Sequence, residues 1–491
     1  MIRLILSTLL FLSLVSCTNI SAPPEEIPVE YTPPDIIVMA VPTLPLTLPF
    51  YATESLHPTL VKNQLNGDLS ALLYEGLFVL DENFQPQALL VESIETSDDG
   101  YRWIFTLKEE ILFWDDTPLT GQIVVSAWNE ARSSASRYSN RFASISSFSA
   151  TTNTVTVNLK YPNYNLPSLL DIPISYGGGA LPQGTGPYLY EEESSFLSRN
   201  PNWWGSADLP DTIALLQIQE KEDLISAFDA GKISILRTDL ISDQSLGFSG
   251  NYHVWQYPST QLYYLGFNGN KLSASQRQAL SLAIDRESLL TQELAGYGTP
   301  TTYPVSPQTQ VGQELGAWSY DPIAVAEEIE SKSALPSKLS LLVNKDNPQK
   351  TAIATEIARQ LEEFSIDVTV NPLPWEDFLL ALEKGNFDFY LSEINLTPDF
   401  DITNLLAGGD FAYGVKYDST LEILWNQYQK DGISALGEEE HFFQQFSKEL
   451  PFAPLCFYHG TAISFWGHLE EATPTANHLF YQLEDWTIVE E

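Results

Sequence analysis

A chain of 491 residues, 44% hydrophobic and 12% aromatic, carries apolar material for two or three domains, which excludes global disorder. Its 24 Lys and Arg stand against 64 Asp and Glu, a formal net charge of -40. No stretch clusters basic residues to displace phosphate counterions, so a nucleic-acid role is excluded, and an anionic membrane surface repels the chain.

Met1–Ile2–Arg3 is a short basic start, and Leu4 to Val15 is an apolar run of signal-peptide length, too short to span a bilayer comfortably. Leu14–Val15–Ser16–Cys17 ends that run with a small residue before a cysteine and resembles the bacterial lipobox. The expectation is a signal peptide over residues 1–16 and a diacylglycerol on the sulfur of Cys17. Residues 17–35 follow as a tether: Thr18 to Asp35 holds five prolines and three glutamates, which favour an extended, self-repelling spacer. With Cys17 lipidated, Cys456 has no partner, and no intramolecular disulfide is expected.

The globular part is expected to begin with a strand at Ile36–Met39. Leu69, Leu72, Leu73 and Leu77 have helical spacing, whereas Tyr101, Trp103, Phe105 and Leu107 alternate as one face of a strand, a pattern that Val155, Val157 and Leu159 repeat. Ser273–Ala274–Ser275–Gln276 predicts a capping box opening a helix, Asp285 caps a following turn, and Gly296 or Gly298 ends it. Leu339, Leu341 and Val343, then the stripe Ile353, Ile357, Leu361 and Phe364, then Ile366, Val368 and Val370 predict a parallel βαβ unit. Phe387–Leu391 predicts one more strand. Ligands of open α/β sheets sit beyond the carboxyl ends of strands, so the loop after Leu391 is a candidate binding site.

Motifs of catalysis are missing from the sequence: G-x-S-x-G, H-E-x-x-H, the P-loop and G-x-G-x-x-G do not occur. An acidic, aromatic-rich secreted chain could be a glycosidase, but no acidic pair stands in a context that favours acid/base work. His57, His253, His441, His459, His468 and His478 lack metal-ligand spacing on one helix face. Neither cofactor nor metal is expected, and Gly177–Gly178–Gly179 reads as a flexible connection.

An ordered series of motifs remains: Leu73–Tyr74–Glu75–Gly76–Leu77, Asp99–Gly100–Tyr101–Arg102–Trp103, Phe113–Trp114–Asp115–Asp116–Thr117–Pro118, Gly184–Thr185–Gly186–Pro187–Tyr188, Asn200–Pro201–Asn202–Trp203–Trp204–Gly205 and Ala283–Ile284–Asp285–Arg286–Glu287. This order resembles the family 5 extracellular solute-binding proteins, the dipeptide, oligopeptide and nickel-binding group of ABC importers. The resemblance implies an α/β fold of the two-lobed periplasmic-binding type with an additional small domain. Domain I is expected over 36–58, 178–260 and 455–491, domain II over 59–177 and domain III over 261–454. It implies a monomer that is not an enzyme, anchored on the outer side of the cell membrane through its lipid, that hands a peptide or small solute to permease subunits. Alternatives are a binder of the same fold used in signalling, or one whose ligand is an oligosaccharide or a metal chelate.

Within that resemblance the glycines of Gly184–Thr185–Gly186 are read as allowing φ > 0 at a sharp crossing between domains. Peptide-binding members carry an Ala-Asp-Tyr type sequence in the loop after Leu391, whose Asp pairs with the ligand ammonium. Here Pro398 falls at that Asp, so Asp399, ahead of Asp401, is the candidate partner, with Asn395 and Thr397 beside it. Trp255, Tyr263, Tyr264 and Trp375 are the candidate aromatics of the cleft.

Overall fold

The structure, a computed structural model, describes residues 46–489 apart from 134, 192–193, 242–246, 317–319 and 333–334. Cys17, the signal peptide, the tether and the strand expected at Ile36–Met39 lie outside the described residues.

A four-stranded antiparallel sheet joins, in spatial order, Val91–Thr96, Arg102–Leu107, Thr154–Leu159 and Ile145–Ala150. Its inner face follows the alternation read from sequence, with Trp103, Phe105, Leu107, Val155, Val157 and Leu159 buried. The strand opens at Arg102, however, and Tyr101 is exposed just after the left-handed Gly100. The helix Gly121–Ala131 lays Val124, Ala127, Trp128 and Ala131 on that face, the i, i+3, i+4, i+7 stripe of an amphipathic helix. Thr120 starts it by accepting the Ile123 amide.

A second sheet sets Thr47–Phe50 parallel to Thr212–Gln217, followed by Phe196–Arg199 and Tyr188–Tyr190. The helix Gln64–Leu73, capped by Asn63, buries Leu69, Leu72 and Leu73 in the same core as Leu48, Tyr188 and Ile235. Leu77 is not part of this helix, which ends at Leu73; it packs in the core of the antiparallel sheet.

The largest sheet runs Ile235–Arg237, Phe452–Phe465, Tyr252–Phe267, Phe389–Asn395, Lys338–Asn344, Asp367–Leu373. Its two long strands, 14 and 16 residues, pair antiparallel with a register shift between Pro258 and Leu262. Tyr257 and Ala462 on one side of the shift belong to the core of Leu48 and Tyr188. Leu262, Leu265 and Phe457 on the other side belong to the core of residues 262–458. One strand pair thus passes through two hydrophobic cores, and its ladder is interrupted between them, where proline lacks the donor to continue it.

The βαβ unit is present, but its helix ends at Glu362, before Phe364, and its second strand opens at Asp367, after Ile366. Lys338–Asn344 and Asp367–Leu373 are parallel, and the helix Pro348–Glu362 buries Ile353, Ile357 and Leu361 between them. Ser273 and Gln276 form their capping box, Asp285 accepts the Ser288 amide to start the next helix, and the left-handed Gly296 follows its end. The strand expected over Phe387–Leu391 runs instead from Phe389 to Asn395, its far end extended because residues 392–395 pair with 261–264 of the long strand. Gly184 and Gly186 do not have positive φ. They are needed for proximity: a Cβ at Gly184 would lie 2.1 Å from the Leu73 carbonyl oxygen, and one at Gly186 2.6 Å from the Leu73 carbonyl carbon.

Candidate functional site

Two adjoining cavities, of about 490 and 510 Å³, share Asn140, Arg141 and Leu396 as lining. Volumes of this size suit a small organic solute. The first is walled by one face of the helix Gln64–Leu73, by Arg137 to Arg141 and by the segment 476–484. The second lies between residues 140–144 and the segment 393–411.

Buried ion pairs frame the first cavity. Arg141 holds Asp171, and the Arg237 Nε–H donates to Asp68 Oδ1 at 2.8 Å, where Gln64 donates at the same distance. Burial raises both aspartates, against the pull of their arginines. Asp68 Oδ2 is buried with no hydrogen-bond partner. Glu75, 7% exposed, accepts from Trp203 at 3.0 Å and from Trp204 and Thr185 at 2.9 Å each. Three neutral donors offset only part of its desolvation, so burial pushes its carboxyl up to about 6. Burial, with the Arg237 charge second, drives the His478 imidazole down to about 4.

Around the second cavity the expected site residues Asn395, Thr397, Asp399 and Asp401 come together. Asp399 is 7% exposed, and its carboxylate accepts from Asn163 Nδ2 at 2.7 Å and from Thr397 Oγ1 at 2.5 Å. Burial and then the Asp401 charge push it up to about 6. Asp401 Oδ1 accepts from the Thr403 amide and hydroxyl, and Oδ2 from Tyr161 at 3.4 Å. Glu393 on the same wall is held by Lys350 at 2.6 Å.

The expected aromatics are placed elsewhere. Tyr264 is 3% exposed in the core, edge-on to Tyr390 and Phe452, and Tyr263 is buried beside Tyr458. Trp255 donates to Ser464 and packs against His253. Trp375 is exposed at the first turn of the helix Trp375–Glu383, stacked on Phe378. None of the four lines either cavity, because strand register and helix phase turn them toward cores or solvent.

The reading from sequence missed Arg137, Arg141, Asp171 and Asn163. A signal was available for the first two: they stand four residues apart in a chain with few basic residues. Among the described residues no group of three His, Cys, Asp or Glu could hold a metal ion. His459 bonds Thr299, His468 bonds Ser234, and Cys456 is free and buried.

Solved structures share this architecture. CtaP of Listeria monocytogenes, an ABC transporter substrate-binding protein, superposes with a TM-score of 0.68 at 18% identity, covering 90% of this chain and 99% of that one. The unliganded open form of MppA, a periplasmic murein tripeptide-binding protein, gives 0.71 at 18% identity over 88% and 95% of the two chains. The fold is therefore that of the two-lobed periplasmic binding proteins. The description "Bacterial extracellular solute-binding proteins, family 5 Middle" matches residues 85–410, and the chain belongs to that family. Its curated relatives include the glutathione-binding protein GsiB of Escherichia coli O6:K15:H31 (strain 536 / UPEC), 27% identical over 343 residues. That match spans 64% of this chain and 65% of the relative's length. The family and the named relatives are binding proteins, not enzymes.

Proposed function

We propose that this chain is a lipid-anchored extracellular solute-binding protein that captures a peptide or another small solute and delivers it to the permease of an ABC importer. The observation that carries this reading is the pair of adjoining cavities, whose walls come from different hydrophobic cores. A solute filling them touches residues 137–144 on one side and 393–401 on the other, so its binding energy depends on how those sides approach. Closure about a hinge is the response such a ligand selects, and the interrupted strand pair at Pro258–Leu262 is a place for it.

In this reading the three largest cores are assigned to the three domains expected from sequence, with a smaller core around Phe228 and Ile463 beside that of domain I. The helix Gln64–Leu73 nevertheless shares the core of domain I, although its residues fall in the range of domain II. Cys17 carries the lipid, and the Pro- and Glu-rich segment up to Asp35 holds the folded body off the bilayer.

The test is a thermal-shift and calorimetric panel of free-acid di- to tetrapeptides, glutathione, neutral oligosaccharides and nickel–histidine, followed by small-angle scattering with any member that binds. Saturable binding, compaction and recovery of the intact solute are expected. Turnover of a bound solute, or no binding across the panel, overturns the reading. A Cys17→Ala variant that still partitions into detergent like wild type removes the anchor from it.

A further inference from the structure

We propose that two rings, Phe84 and Tyr164, form a latch that holds the second cavity shut without touching the solute inside it. What the cavity holds rests on the solute-binding reading above. The latch itself is a contact of protein with protein, and it is tested without a solute.

The second cavity lies along a seam that no chain crossing fixes. One wall, Asn140 to Ser144 with Leu169, comes from the part of the chain that builds the antiparallel-sheet core of residues 77–174. The other, from Glu393 to Phe411, comes from the part that builds the core of residues 262–458. Between these two stretches the chain passes through the core of Tyr188 and Tyr257. Nothing covalent therefore joins the two walls directly, and non-covalent contacts across the seam decide whether it is open or shut.

Two of those contacts are rings lodged in the opposite core. The chain leaves the antiparallel-sheet core at Leu159, lays Tyr164 against the core of residues 262–458, and is back at Leu166. The Tyr164 ring meets Tyr428 edge-on at 5.6 Å, with the two hydroxyls 3.0 Å apart. Its amide donates to the Gln429 carbonyl at 2.8 Å, in the last turn of the helix Thr420–Asp431. Gly432 ends that helix at φ 60°, and a Cβ there would stand 2.4 Å from Tyr164 Cδ2. Glycine thus serves both the left-handed helix end and the seat of the ring. Phe84 repeats the arrangement: Phe78, six residues earlier, is in the antiparallel-sheet core, and Phe84 is in the other. Neither ring lines either cavity.

Solute and latch bridge the same two walls at different places. A latch made by the protein populates the shut arrangement before any solute arrives, so the empty cavity is open only part of the time. Solute enters and leaves during those openings, and less of its binding energy goes into closing the seam. Loosening the latch speeds entry and release together.

Ser144, 3% exposed on the wall of the second cavity, offers a reporter that needs no solute. In a Cys17→Ala background Cys456 is the one native thiol left, and it is buried. Ser144→Cys in that background is reacted with the aryl disulfide dithiobis(nitrobenzoate), alone and combined with Tyr164→Ala or Tyr164→Phe. Tyr164→Ala should speed labelling at position 144 about tenfold, the factor for one lost aromatic pair. Tyr164→Phe keeps the ring and loses only the hydroxyl contact, so about threefold is expected. Cys456 should stay unreactive in all three proteins. Equal labelling rates overturn the latch. Labelling of Cys456 in step with position 144 also overturns it, since that is the result if Tyr164 only stabilises the whole fold. If no panel member binds, the solute-binding reading fails while the labelling rates still decide the latch. With a panel member that binds, stopped-flow mixing should show association and dissociation both faster in Tyr164→Ala, and slower association overturns the gating of entry.

Discussion

Asn163 Nδ2 donates to Asp399 Oδ2 at 2.7 Å, joining residues 236 apart in the chain. The contact is reinforced on both sides: Tyr161 reaches Asp401, the Tyr164 hydroxyl lies 3.0 Å from that of Tyr428, and the Tyr164 amide donates to the Gln429 carbonyl at 2.8 Å. The segment after the strand Thr154–Leu159 thus grips the loop that floors the second cavity. Asn163→Ala leaves a buried carboxylate with Thr397 as its remaining side-chain donor, and should cost about 1–3 kcal/mol. Urea unfolding with an unchanged midpoint would show that the loop does not depend on this bond.

Phe84 clamps the same loop from another direction. It sits at φ 61° in the turn between Phe78–Leu80 and Pro86–Ala88, yet is only 3% exposed. Its ring meets Phe400 edge-on at 5.2 Å, and Phe400 in turn meets Phe457 at 5.5 Å. A hairpin tip rarely buries an aromatic in a neighbouring core, and its removal leaves a hole that backbone cannot fill. Phe84→Ala should lose about 3–5 kcal/mol of stability by denaturant titration. A loss below about 1 kcal/mol would mean that the loop re-packs without it.

Local pattern and distant pairing divide what could be read in advance. Alternation at Trp103–Phe105–Leu107, the Ser273–Gln276 capping box and the Ile353–Ile357–Leu361 stripe each act within a few residues, and each stands where expected. The extension of a strand through Ser392–Asn395 depends on residues 261–264, more than a hundred positions away, so nothing local signals it. Gly184 and Gly186 are required not by conformation but by the backbone of Leu73 lying against them. The place of the acidic loop beside the second cavity is legible because the strand before it sets that place. For Trp255, Tyr264 and Trp375 residue type alone does not say toward which side register turns a ring.

Glu75 makes stability depend on pH in a defined direction. Its native carboxyl, raised to about 6 from an ordinary 4.5, binds its proton more tightly folded than unfolded. Stability from this group therefore rises as pH falls from above 6 toward 4.5, and is lost again as pH rises through 6. His478, lowered to about 4, acts the opposite way, so the Glu75 contribution must be read by difference. Between pH 7.5 and 5, wild type should gain about 1 kcal/mol relative to Glu75→Gln, which cannot titrate. Parallel stability curves for the two proteins would show that the site's pH response lies elsewhere.

The last expectation concerns a ligand ammonium. Reasoning from sequence placed Asp399 ahead of Asp401 as its partner, and the geometry reverses that order. Both Asp399 oxygens are in use, Oδ1 by Thr397 and Oδ2 by Asn163, and the side chain is buried. Asp401 commits Oδ1 to Thr403, but Oδ2 has only a long 3.4 Å contact from Tyr161 and the residue lines the second cavity half-buried. A cation leaving water needs an acceptor with lone pairs to spare, so Asp401 is the better partner. For any amine-bearing peptide that binds, calorimetry on Asp401→Asn should show affinity weakened by roughly 2–5 kcal/mol, the order for breaking one side of a buried pair. Asp399→Asn should instead change unfolding stability with little effect on affinity, because its neighbours are protein groups. Since burial holds the Asp399 carboxyl near 6, an ammonium seated there would bind less well as pH falls through that value. Such a fall, together with wild-type binding by Asp401→Asn, would return the assignment to Asp399.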